Sequence, residues 1–171
     1  MQPLMIVLRF FHVVSGVLWV GGVVTTIVFI MPAVRATGPG GGAVIRHLLL
    51  NTKFAGYFPA LGGLTVLSGL WMFWHDGTVS NGAFYSSDTG IALSIGGLAG
   101  IIALIVGGSV VGRSFGQMAK ILKAIDAGGG TPTPEQSAQM SALRAKAQAG
   151  SKIVLPSLII AAIMMAIARY V

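Results

Sequence analysis

LMIVLRFFHVVSGVLWVGGVVTTIVFIM, Leu4 to Met31, is a run of 28 residues without Asp, Glu or Lys. As a helix rising about 1.5 Å per residue it crosses a hydrocarbon core of about 30 Å, so it reads as a transmembrane helix. Arg9 and His12 are its only strongly ionisable side chains. Arg9 is close enough to one end to snorkel to the headgroups, whereas His12 lies about 12 Å below Leu4 and is too short to do so. An imidazole at that depth needs a partner. Ser15, Gly16, Trp19, Gly21 and Gly22, which follow it, mix small and large residues, as helices do where they approach closely or leave room for a ligand.

The rest of the chain suits the same solvent. Of 171 residues, 54% are hydrophobic and 9% charged, with a mean hydropathy of +0.85, which points to an integral membrane protein. Three further spans follow at about 54–74, 90–111 and 153–171, giving one all-α domain over residues 1–171, a membrane four-helix bundle. The formal net charge of +7 does not point to nucleic acid, because the basic residues fall between the spans. Arg35, Arg46 and Lys53 occupy the first connection. Arg113, Lys120, Lys123, Arg144, Lys146 and Lys152 occupy the third, against Asp126 and Glu135, while the second carries only Asp76 and Asp88. The positive-inside rule therefore predicts cytoplasmic first and third connections, with both termini outside and His12 in the outer half of the membrane. The absence of cysteine removes disulfides, thiolate metal sites and thiol nucleophiles, and four acidic residues leave little for carboxylate chemistry. A cleaved signal peptide is not expected, since the apolar run is too long and no Lys or Arg precedes it.

Along the chain, a break is expected at Pro32 and a flexible turn at TGPGGG, Thr37 to Gly42, before a short helix in AVIRHLLLNTKF. That glycine run lacks the lysine and hydroxyl of a phosphate loop, and His47 beside Arg46 reads as an interfacial residue. The second span carries Pro59 and a small-residue face of Gly62, Gly63, Ser68 and Gly69; Trp71, Trp74 and Tyr85 suit an outer aromatic belt. Gly96, Gly97, Gly100, Gly107 and Gly108 stud the third span. Beyond it, Met118, Ile121, Leu122 and Ile125 continue a helical stripe that ends at Gly128 to Gly130. Thr133, Pro134 and Gln136 then form the start signal of a new helix, with Met140, Leu143 and Ala147 as its apolar stripe, so a cytoplasmic helical hairpin is expected between the third and fourth spans.

Counting eight residues inward from each outer end sets Val66 to Ser68, the glycines at 96–100, and Ala162 to Met165 at the level of His12. A b-type haem is one occupant suited to such a place, with His12 as an axial ligand, Met164 or Met165 as the second, and Arg9 and Arg169 facing the propionates. His75 lies about 12 Å shallower and serves as a ligand only if the helices are strongly tilted. The competing readings of His12 are a hydrogen bond to a neighbouring helix and a proton relay.

FHVVSGVLWVGG (11–22), MPAVR (31–35) and LTVLSGLWMF (64–73), and more faintly MAIARY (165–170), resemble a superfamily of small bacterial membrane proteins. It includes the copper resistance D-like proteins and the haem-dependent membrane protoporphyrinogen oxidase. The resemblance implies a multi-pass protein of the bacterial inner (plasma) membrane with His12 as haem ligand. It does not extend to the oxidase's further basic and methionine positions in the second helix, where this chain reads GGLTVLSGLWM. The expected function is electron transfer or a membrane redox reaction, with the bilayer and a redox protein or membrane complex as partners and homo-oligomerisation allowed. The alternatives are a copper-binding or copper-transport protein using Met5, His12, Met72 and His75, and a non-catalytic accessory subunit of a larger complex.

Overall fold

A computed structural model describes residues 2–171. The described residues form helices and short turns, with no strand among them. Helix α1 spans Gln2–Ala36, α2 Pro39–Asn51, α3 Phe54–Val79, α4 Asp88–Ala127 and α5 Pro134–Ile167. All but α2 are long and apolar enough to cross a membrane. The chain is thus all-helical with four membrane-length helices.

α1 pairs most closely with α3, and α4 with α5; the pairs meet chiefly along α3 and α4 and more lightly along α1 and α5. Small residues face inward and large ones outward. Ala92, Gly96, Ala99, Gly100 and Ala103 are the buried face of α4, while Leu98 and Ile105 on the same helix are more than half exposed. This is the arrangement for a bundle whose surroundings are as apolar as its side chains: close backbone approach holds it together, and lipid covers the rest. Trp19, Ala103, Val154 and Leu158 form the central core where the pairs join.

A second core lies beyond the bundle. Leu49 of α2, Met118 of α4 and Met140 of α5 are buried together, with Phe54, Phe115 and Leu143 around them. Arg46 and Asp126 form an ion pair across the same junction. α5 begins with a full capping box: the Thr133 backbone N–H donates to Gln136 Oε1 at 2.9 Å and the Gln136 N–H to Thr133 Oγ1 at 3.2 Å. From that cap it runs unbroken through the apolar segment rather than as two helices.

Two expectations for the first connection are corrected. The helix does not break at Pro32; Thr26–Ile30 form a wider π turn and α1 continues to Ala36. The Met31 N–H donates to the Thr26 carbonyl, five residues back, so the ladder has already changed step when it reaches the ring that lacks a donor. The TGPGGG run is also mostly helix. Only Thr37 and Gly38 turn, Gly38 with φ of 52°, and Pro39 opens α2 near its first position, where its missing N–H costs nothing. A Cβ on Gly41 would lie 1.9 Å from the Val34 carbonyl oxygen, so the tight reversal requires glycine there.

A second π turn, Gly107–Gly112, sits in α4. It lies at the same end of the bundle as the first. Both turns line an apolar cavity of about 90 Å³ between all four long helices.

Candidate functional site

The α1–α3 seam is an antiparallel register of rings set against glycines. His12 sits on Gly69, Ser15 meets Thr65, Trp19 sits on Gly62, and Gly22 receives Phe58. Positions advance along α1 by 3, 4 and 3 while those along α3 recede by 4, 3 and 4, the spacing that keeps one face of each helix in contact. A Cβ on Gly69 would fall 2.7 Å from His12 Cε1, and one on Gly62 2.8 Å from the Trp19 indole. Each ring thus lies directly on the opposing backbone.

His12 Nδ1 is 2.7 Å from the Thr65 carbonyl oxygen. A carbonyl only accepts, so Nδ1 carries the proton, and in the neutral ring the free lone pair is on Nε2. Ser68 Oγ lies 3.4 Å from Nδ1 but donates along its own helix to the Leu64 carbonyl at 2.6 Å. One turn deeper, Ser15 Oγ and Thr65 Oγ1 are 2.8 Å apart, and Thr65 Oγ1 is also 2.8 Å from the Leu61 carbonyl. Ser15 and Ser68 are 3% and 4% exposed, so this is a buried polar seam with its hydroxyls satisfied.

On α3 the inward count of eight residues, Val66 to Ser68, falls among the residues around His12, which are Thr65, Ser68 and Gly69. At a rise of about 1.5 Å, His75 is six residues, or about 9 Å, further along α3 than Gly69. Its Nδ1 faces the adjacent Asp76 Oδ1 at 3.5 Å. Met164 and Met165 pack on α4: a Cβ on Gly96 would lie 3.1 Å from Met164 Cβ and 3.3 Å from Met165 Cε. The described contacts of His12 are therefore on α3 and those of the two methionines on α4. Arg9 is exposed one turn before His12, and Arg169 is exposed just beyond α5, where Thr89 Oγ1 donates to the Val171 carbonyl at 3.1 Å and ties the chain end to α4. Among the described residues no three His, Cys, Asp or Glu side chains come together as a metal-binding group.

The α3 half of this seam has a fainter signature in the sequence. Gly69, Thr65, Gly62 and Phe58 carry no titratable group, and their signal is a heptad-like spacing of small and large residues complementary to His12, Ser15, Trp19 and Gly22.

Fold and seam together define a class, a helical protein with four membrane-length helices and a half-buried histidine between two of them. No family model, curated protein or solved structure matches the chain.

Proposed function

We propose that the protein holds a b-type haem, with His12 as an axial ligand through Nε2, and serves electron transfer or a redox reaction within the bacterial plasma membrane. The observation that carries this reading is the hydrogen bond from His12 Nδ1 to the Thr65 carbonyl. Histidines that ligate metals usually donate their other ring N–H to a carbonyl or carboxylate, which fixes the tautomer, orients the ring and makes the ligating nitrogen more basic. His12 would hold the iron through Nε2, the ring nitrogen not engaged by Thr65. For the second axial position, Met164 and Met165 are the candidates by sequence depth, and Met165, whose Cε lies beside Gly96, would have to turn from that place. Arg9 and Arg169, exposed near one end of the bundle, would neutralise the propionates. The haem would supply one-electron chemistry; burial and ligand choice would set its potential. The resemblance in Phe11 to Gly22 belongs to the same proposal, as does the orientation. Arg35, Lys53, Arg113 and Lys152 cluster at one end of the long helices and Asp76 and Asp88 at the other, which supports α2 and the second core on the cytoplasmic side.

The test is an oxidised-minus-reduced optical spectrum with pyridine haemochrome quantification on the full chain, purified in mild detergent from cells supplied with a haem precursor. A stoichiometric b-type spectrum that disappears in His12→Ala is the expected result. A folded but colourless wild-type protein overturns the proposal, and copper found by metal analysis would replace it with the copper-binding reading.

A second reading has its own support. The Ser15–Thr65 contact extends the seam without any ligand, so His12 also serves as an interhelical lock. Such bonds contribute about 0.6 to 1.7 kcal/mol between membrane helices. If that is its whole role, His12→Ala lowers resistance to unfolding in SDS and changes no spectrum.

A further inference from the structure

We propose that the cavity between the two π turns binds an anionic phospholipid, with an acyl chain inside and the headgroup phosphate on Lys53, Arg113 and Lys152. This rests on nothing at His12, which lies toward the other end of α1. The cavity runs along α1 from Trp19 to Met31, about 18 Å at a rise of 1.5 Å per residue. Its volume of about 90 Å³ is well above the roughly 10–15 Å³ that one water needs. Ala55 and Pro59 are exposed among its lining residues, which gives it a lipid-facing side.

Its chemistry favours hydrocarbon. The hydroxyls in its wall are engaged along their own helices, Thr26 Oγ1 donating to the Gly22 carbonyl at 2.7 Å and Ser151 Oγ to the Ala147 carbonyl at 2.9 Å. A polar ligand would have to compete with those bonds, whereas an acyl chain does not. Gly108 keeps the space open, since a Cβ there would have no neighbour within 4 Å.

The headgroup assignment comes from charge. Phe54, Gly112 and Ser151 line the cavity, and each has an exposed cation beside it in the chain: Lys53 before the first, Arg113 and Lys152 after the other two. Lys53 precedes α3, while Arg113 lies in α4 and Lys152 in α5, all toward one end of the bundle, and no acidic residue adjoins them in the sequence. Three cations beside an apolar cavity suit a lipid with a negative headgroup, and basic pockets between membrane helices take such headgroups.

Trp19 lines the cavity at 5% exposure and serves as its reporter. The chain has three tryptophans, and Trp71 and Trp74 lie toward the opposite end of the bundle, exposed, so Trp71→Phe with Trp74→Phe leaves Trp19 alone. This full-length variant is reconstituted into phosphatidylcholine vesicles with increasing mole fractions of brominated phosphatidylglycerol or brominated phosphatidylcholine. Brominated phosphatidylglycerol should quench Trp19 with a relative binding constant at least about fivefold higher, the effect of one well-placed cation. Lys53→Gln, Arg113→Gln and Lys152→Gln combined should return the ratio to about one, and Gly108→Leu should reduce quenching by both lipids. Should the triple variant not fold, raising the salt from low to molar concentration on the parent must shrink the preference. Equal quenching by the two lipids in the parent, or a preference that survives both charge removal and salt, overturns the proposal.

Discussion

The two ends of the bundle use the same residue in opposite ways. Along the α1–α3 seam, from the His12 end inward, Gly69 and then Gly62 are in contact: a ring of α1 lies where each Cβ would be. At the π-turn end, Gly108 faces open space. The first arrangement locks two helices through close approach and buried hydrogen bonds, and the second leaves four helices apart. The difference shows that glycine content in membrane helices does not by itself mean tight packing; the residue opposite decides. Where a large ring faces the glycine the seam closes, and where a π turn has altered the helix step the rows no longer meet.

The largest effect expected in this comparison is at the closed end. If the protein holds haem as proposed, His12→Ala should remove all of it while far-ultraviolet circular dichroism stays helical; retention of haem would move the ligand elsewhere. Next comes the same substitution made at both ends. Gly62→Ala should destabilise by about 1–3 kcal/mol through overpacking against Trp19 and Leu104, measured by unfolding in SDS. Gly108→Ala should be neutral or stabilise by up to about 1 kcal/mol, because the added methyl has room and the unfolded chain loses freedom. Equal costs at the two positions would erase the distinction between closed and open. Gly69→Ala sharpens the closed end further: the methyl must displace the imidazole, so haem occupancy or its midpoint potential should change more than in Gly97→Ala, where a Cβ meets nothing within 4 Å. The smallest effect lies outside both. Arg46→Gln breaks an exposed ion pair with Asp126 and should change stability by less than about 1 kcal/mol.

Much of this architecture is legible in residue types alone. Length and apolarity locate the four long helices, and the Thr133–Gln136 capping box follows from its residues, because caps depend on groups close in sequence. The depth of His12 could be counted against α3 because helical rise is nearly constant. The departures come from contacts distant in sequence or from changes of helical step. Pro32 and TGPGGG read as breaks by intrinsic propensity, yet a π turn before the proline and the close approach of the Val34 carbonyl to Gly41 reset both. Met164 and Met165 pack beside Gly96 on α4, a partner that no count along α5 can identify.

The second core also carries a consequence for biosynthesis. Leu49 is buried against Met140, which is made 91 residues later. At synthesis rates of about 5–20 residues per second, α2 waits roughly 5–18 s for the last wall of its pocket. During that interval its apolar stripe, with Ile45 and Leu49 one turn apart, lacks the Met140 side of its pocket. The packing of α2 is therefore completed only once the start of α5 has been made, so the first connection depends on the last long helix.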